Sequence, residues 1–335
     1  MKIVVDAMGG DFGPRVTVEG AVRASEDYGV EVVLVGIEGV IKREVDKLRN
    51  TRAKVTIIDA PEAIGMGDKV YSLRKKKRSS ILVGAQLVKD RAADAFVSMG
   101  NTAAVVFISK RIMGSLRGVD RPALALLIPA PKGLTLLIDV GANANCRPHD
   151  LEQFAIMGRI FMEANLGIKN PRIGLMSIGE ESSKGNELTR EAFERIKAAP
   201  LNFIGNVEGQ DIYSGRADVI VSDGFTGNVV LKASEGLGEA LVSMVKHEVM
   251  KNMWARIGLF LMNRHLKRIY KKVDYSEYGG AHLLGIDGVC IVGHGRSNAK
   301  AVKNAVRVAN EFVVNRVKDK IQQELSCAAP ALDGN

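Results

Sequence analysis

The run Lys2-Ile3-Val4-Val5-Asp6-Ala7-Met8-Gly9-Gly10-Asp11, followed by Pro14 to Tyr28 and then Gly29, decides the fold. Ile3–Ala7 is apolar on consecutive positions, which predicts a strand buried on both faces rather than one with a wet side. Pro14 stands where a helix tolerates proline, at its first turn, and Gly29 stands where a helix ends. A second apolar run, Val30–Val35, follows at once. Strand, glycine turn, helix and strand make a βαβ unit, and hence a parallel sheet.

The same alternation continues. Strands are expected at Val55–Asp59, Ala95–Ser98, Ala123–Ile128, Leu134–Val140, Ile173–Ile178, Phe203–Val207, Val219–Ser222 and Val289–Val292. Helices are expected at Asn101–Leu116, Asp150–Asn165, Asn186–Ala199 and Thr226–Met250. The predicted class is α/β, with a doubly wound, mostly parallel sheet. Pro129-Ala130-Pro131-Lys132-Gly133 between two strands predicts a hairpin within a mixed sheet. No Pro/Ser-rich linker divides the chain, so residues 1–325 are expected to form one catalytic domain with a helical excursion at about 235–280, and 326–335 a flexible tail.

The 335 residues are 46% hydrophobic and 25% charged, which excludes intrinsic disorder. The three cysteines are far apart and form no CxxC, so no disulfide framework or zinc site is expected. No apolar stretch approaches the ~18 residues of a membrane span, and no signal-peptide core precedes Asp6, so the expected compartment is the cytoplasm. Net charge is +9, and where that charge sits becomes the question.

In open α/β sheets ligands bind beyond the carboxyl ends of strands. Seven such loops share one composition. Asp6, Gly9, Gly10 and Asp11 follow the first strand; Ser98, Gly100, Asn101 and Thr102 the fourth; Asn143 follows Leu134–Val140. Lys184 and Asn186 lie after Ile173–Ile178, Glu208-Gly209 after Phe203–Val207, Asp223, Gly227 and Asn228 after Val219–Ser222, and His294 after Val289–Val292. Glycines admit close approach of a ligand and helix N-termini favour an anion, though any single loop is equally explained as turn and cap chemistry. Lys184 is a candidate anion partner, Asn228 a candidate oxyanion donor and His294 a candidate for proton traffic. Each also has a bland reading: a surface lysine, an early-turn helix residue, a satisfied histidine.

Several chemistries lack their signatures. Gly236-Leu237-Gly238 lies within a predicted helix and is no dinucleotide fingerprint. Lys184-Gly185 reverses the order of a P-loop, and neither HExxH nor GxSxG occurs. No cofactor and no metal are expected. The pattern fits positioned Lys, Asn and backbone N–H groups acting on an anionic substrate.

The opening decapeptide and the ordered set of loops, through Gly279-Gly280-Ala281 to Ser297, resemble the PlsX-type phosphate acyltransferases over roughly residues 1–320. The resemblance implies an α/β/α sandwich of the isopropylmalate dehydrogenase and phosphotransacetylase kind, usually dimeric. It implies transfer of a fatty acyl group from acyl carrier protein to inorganic phosphate, giving acyl phosphate for phospholipid synthesis. A membrane glycerol-3-phosphate acyltransferase would then consume the product. The family's active-site Lys and Asn fall on Lys184 and Asn228. Three rivals remain: a short-chain acetyl or butyryl enzyme using acyl-coenzyme A, an isopropylmalate-type dehydrogenase, and a non-catalytic membrane-associated scaffold.

Two segments carry the charge. Arg74–Arg78 holds +5 and Val249–Val273 holds +7, leaving the remainder at −3. The first is a solvated loop or a docking patch for an acidic carrier protein. The second sets Trp254, Ile257, Phe260 and Leu261 at helical spacing, which marks either a core-packed helix pair or, with its cationic opposite face, a helix lying on anionic lipid. A peripheral membrane association is therefore expected. Neither segment interleaves repeated aromatics, which disfavours nucleic acid.

Overall fold

A computed structural model describes residues 1–48, 51–68, 75–131, 133–262 and 275–328. Eleven strands form one continuous sheet: β1 Lys2–Asp6, β2 Glu31–Gly36, β3 Val55–Asp59, β4 Ala95–Ser98, β5 Ala123–Ala130, β6 Gly133–Ile138, β7 Ile173–Met176, β8 Phe203–Val207, β9 Val219–Val221, β10 Ala281–Leu284 and β11 Cys290–Val292. Their spatial order is β3-β2-β1-β4-β11-β10-β5-β6-β9-β7-β8. The flanking helices are α1 Gly13–Tyr28, α2 Glu38–Lys47, α3 Ser80–Lys89, α4 Thr102–Met113, α5 Pro148–Leu166, α6 Glu187–Ala198, α7 Gly224–Met250, α8 253–262, α9 Ala299–Val314 and α10 Val317–Ala328.

The apolar runs form strands because both faces are covered. Ile3 and Val5 enter one core with α1 and α9, while Val4 enters the other with Ile81 of α3 and Val105 of α4. Helix punctuation follows the sequence closely. Pro14 lies in the first turn of α1, and Gly29 closes it at φ 68° with its N–H donated to Ser25 O. The predicted hairpin is present: β5 and β6 pair antiparallel from Ala125↔Ile138 to Ala130↔Gly133.

Helices α2, α3 and α9 add to those expected from the sequence, and three further features depart from it. β10 was not foreseen; it lies between β11 and β5 and is antiparallel to both. α10 runs to Ala328, into the expected tail, whose residues 329–335 lie outside the described set. The third departure matters most for the site. β1, β2, β3, β4 and β11 run one way, whereas β6, β7, β8 and β9 run the other, because β10 and the β5–β6 hairpin reverse the direction between them. The carboxyl-end loops therefore form two rims instead of one. The two rims are nonetheless linked, because α7, which starts after β9, reaches the loop after β11.

Candidate active site

The first rim is built on Asp6, the last residue of β1, which is 1% exposed. Its carboxylate accepts from Ser98 Oγ at 2.7 Å and from Met8 N–H at 3.1 Å, and Ser98 Oγ in turn accepts from Gly100 N–H at 3.0 Å. Burial pushes the Asp6 carboxyl up from the usual range, against the pull of Ser80, Ser98 and the Met8 and Gly9 amides. Gly9 packs so closely on Gly100 that a Cβ there would stand 2.7 Å from the Gly100 nitrogen and from Asp6 Oδ2. Gly10 adopts φ 93°, which L side chains avoid. Asp11 N–H donates to Gly295 O at 2.7 Å, which joins the β1 loop to the β11 loop. Asn101 caps α4 by accepting from Ala104 N–H at 3.0 Å, and it also donates Nδ2 to Met66 O. Thr102 is exposed at the start of α4.

His294 sits on the same rim with both ring nitrogens engaged. Nδ1 accepts from Arg296 N–H at 3.1 Å, which places the proton of the neutral ring on Nε2. Nε2 lies 3.6 Å from Glu235 Oε2.

The second rim is built on Asp139, the residue after β6, which is fully buried. Its carboxylate accepts from the backbone N–H of Leu124, Gly141, Ala142 and Asn143 and from Asn143 Nδ2, at 2.8–3.0 Å. Burial pushes this carboxyl up as well, and the same amides oppose it. Every partner is a donor, so the group is held as a carboxylate. Asn143 also donates to Pro122 O, leaving its amide nitrogen committed to the scaffold. Asp223 caps α7 through Thr226 N–H at 2.9 Å, and Asn186 caps α6 through Thr189 N–H at 2.9 Å. A Cβ on Gly227 would overlap the Asp139 carbonyl oxygen.

These contacts sort the candidates. Asp6, Ser98, Asn101, Asn143, Asn186 and Asp223 spend polar groups on caps and loop closure, and Gly9, Gly100 and Gly227 serve close backbone packing. Cap and turn chemistry thus accounts for most of the shared loop composition. Lys184 and Asn228 are different: both are exposed, and no hydrogen bond of either side chain is found among the described residues. They stand on one rim, since β6, β9 and β7 are parallel neighbours. Asn228 lies beside Gly141, with its amide 3.7 Å from where a Gly141 Cβ would be.

α7 joins the rims. Asn228, Lys232 and Glu235 share one helix face at spacings of four and seven residues. Lys232 Nζ is 2.8 Å from Glu235 Oε2, the same oxygen that faces His294. One turn on, Glu239 pairs with Arg296 at 2.8 Å. Burial pushes the Glu235 carboxyl up, but His294 and Lys232 outweigh it and hold it at about 2. The sequence placed Asp139 at the head of a candidate loop without singling it out, and it gave no sign of Lys232 or Glu235. Asp139 repeats the strand-terminal aspartate of Asp6 ahead of a glycine loop, and this parallel could have marked it. Lys232 and Glu235 follow from helical spacing once Asn228 is placed.

Beyond the Glu239–Arg296 pair, α7 is exposed through Glu248. Trp254, Phe260 and Leu261 are 76%, 78% and 73% exposed, and Ile257 is also exposed. Residues 263–273, with most of that segment's positive charge, lie outside the described residues, as does Arg74. Of the other basic run, Lys76 is anchored to Asp68 Oδ2 at 2.5 Å and Ala63 O at 2.7 Å, and Arg78 lies 3.8 Å from Asp59. Lys75 and Lys77 are exposed. No described helix is long and apolar enough to cross a membrane. Among the described residues no group of three or more His, Cys, Asp or Glu could hold a metal.

Known proteins match this chain over nearly its whole length. The fatty acid synthesis protein family matches residues 1–320. A phosphate acyltransferase of Alkaliphilus oremlandii is 48% identical over 327 residues, 97% of this chain and 98% of the relative. One from Aquifex aeolicus is 46% identical over 331 residues, 98% of each. Among solved structures, a phosphotransacetylase from Streptococcus pyogenes superposes with a TM-score of 0.66 at 19% identity, covering 94% of each chain. A 4-hydroxythreonine-4-phosphate dehydrogenase from Klebsiella pneumoniae gives 0.54 at 13% identity, covering 93% of this chain and 99% of the other. These two share the fold.

Proposed function

Because the chain belongs to the fatty acid synthesis protein family and is an acyltransferase, we propose that it moves a fatty acyl group from acyl carrier protein to inorganic phosphate, forming acyl phosphate for phospholipid synthesis. The observation that carries this reading is the presence of Lys184 and Asn228 on one rim, both without a side-chain hydrogen bond among the described residues, amid polar residues the scaffold consumes. Lys184 holds the phosphate as a point charge. A phosphate oxygen attacks the thioester carbonyl, and a C–O bond forms as the carbonyl π pair moves to oxygen. Asn228 Nδ2 donates to that oxyanion. Collapse breaks the C–S bond and expels the carrier's thiolate, which needs no strong general acid at neutral pH. The one histidine on these loops, His294, has its nitrogens facing Arg296 and Glu235.

The exposed apolar arm of α7 and α8 supports a peripheral contact with anionic membranes and the pairing of two copies. There the product would meet a glycerol-3-phosphate acyltransferase. The exposed Lys75 and Lys77 support docking of an acidic carrier protein.

The test is phosphate-dependent thiol release with detection of acyl phosphate, comparing acyl carrier protein and coenzyme A thioesters as donors. Fatty acyl transfer from the carrier is expected. Turnover of short acyl-coenzyme A alone would make this a short-chain phosphate acyltransferase, and no acyl phosphate from either donor would leave only a scaffold.

A further inference from the structure

We propose that Asp139 is a positioning residue that acts on the reaction through Asn228, an inference that rests on the phosphate acyltransferase reading. Two separate paths run from Asp139 to Asn228. The first goes through the carboxylate. It gathers the amides of Gly141, Ala142 and Asn143, and Gly141 is the backbone against which the Asn228 side chain lies. The Asn143 carbonyl in turn accepts from Gly224 N–H at 2.8 Å, which sets the start of α7. The second path goes through the backbone. The Asp139 carbonyl accepts from Ser222 Oγ at 3.1 Å and abuts Gly227, the residue before Asn228, leaving no room for any side chain. Asp139 N–H donates to Ser222 O at 3.0 Å, closing the same joint from the other side.

A carboxylate is needed because five N–H groups converge on two oxygens. An asparagine would turn its own N–H₂ against at least one of them and leave a buried donor unpaired. Burying a charge is costly unless it is fully hydrogen-bonded, and here it is. The arrangement also explains why side chains must hold the anion on this rim. The amides of 141–143, which a glycine loop could have offered to phosphate, are already spent on Asp139. Binding and oxyanion stabilisation then fall to Lys184 and Asn228, whose placement must be tight, since a misplacement near 1 Å costs on the order of 100-fold in rate.

The experiment is a double-mutant cycle on acyl phosphate formation, with hydrogen exchange as a readout independent of activity. Asp139→Asn is expected to lower kcat roughly 10- to 100-fold in the native background, and less than about twofold in the Asn228→Ala background, because the route is already lost. It is also expected to speed amide exchange at Gly141–Asn143 and at Gly227 and Asn228 while leaving β6 protected. Equal fold-losses in both backgrounds, or unchanged exchange at these amides, would overturn the proposal. If Asp139→Asn does not fold, Asn143→Ala, which removes one donor and leaves the carboxylate in place, takes the same two measurements under the same criteria. Failure of the wider reading is distinguishable, because it appears in the unmodified enzyme as a lack of phosphate-dependent transfer.

Discussion

Glu235 of α7 meets His294 of the loop after β11, Oε2 to Nε2 at 3.6 Å. The contact ties a helix that begins on one rim to a loop of the other. It also marks where α7 leaves the body, because its residues from Gly236 to Glu248 are exposed. Asn228 lies seven residues back on the same face, about 10 Å along the axis. The helix that carries a candidate catalytic amide is therefore clamped by both halves of the sheet.

Removing that clamp has a defined pH signature. The Glu235 carboxyl is held at about 2 in the folded chain, below its ordinary value of about 4.3 when unfolded. The stability it contributes is present above that ordinary value and is lost as pH falls toward 2. Glu235→Gln should flatten the stability–pH curve in this window and leave its shape above pH 5 unchanged, as read by chemical denaturation across pH.

Lys184→Ala and Asn228→Ala should separate activity from stability. Both side chains are exposed and unpaired among the described residues, so melting should move by no more than about 0.5 kcal/mol. Phosphate-dependent acyl transfer should fall, with Asn228→Ala losing about 10²–10³ in kcat as an oxyanion donor does. Native turnover by both variants would remove the mechanism.

His282 is an acid liability in the core. It is 1% exposed, lies against Phe161 and Phe312 with ring centroids at 4.8 and 5.6 Å, and has no partner for either nitrogen among the described residues. Burial, helped by the charge of Arg307, pushes its pKa down to about 3. The unfolded chain takes up the proton near pH 6.5 and the folded chain does not. Stability should therefore fall by about 1.4 kcal/mol per pH unit between about 6.5 and 3 from this group. His282→Leu should remove that slope, measured by denaturant unfolding at pH 7 and pH 5.

Gly227→Ala tests the joint between β6 and α7. Its methyl would overlap the Asp139 carbonyl, so the first turn of α7 must retreat. A cost of roughly 1–3 kcal/mol is expected, together with a fall in kcat larger than in the Michaelis constant for the acyl donor. A variant with native kcat would show that the position of this turn does not govern the reaction.

The arm should act on membranes. Phe260 and Leu261 are both more than 70% exposed. The chain is expected to float with anionic vesicles and not with neutral ones, and Phe260→Asp combined with Leu261→Asp should abolish flotation. Unaltered flotation of the double variant would assign these residues to another contact.

The sequence by itself determined the α/β class, most strands and helix ends, and the family. Burial on two faces writes itself into local runs such as Ile3–Val5, and caps such as Gly29 and Asn186 act on neighbours a few residues away. β10 escaped because four residues with a histidine among them carry too short a period to read. Only the tertiary structure decided the rest: that β10 and the β5–β6 hairpin split the loops into two rims, and that Asp139 consumes the amides of its own loop. It also set Glu235 against His294 and left the Lys184 and Asn228 side chains without a hydrogen bond among the described residues. Strand direction and hydrogen-bond ownership depend on partners tens to hundreds of residues away, and no local pattern records them.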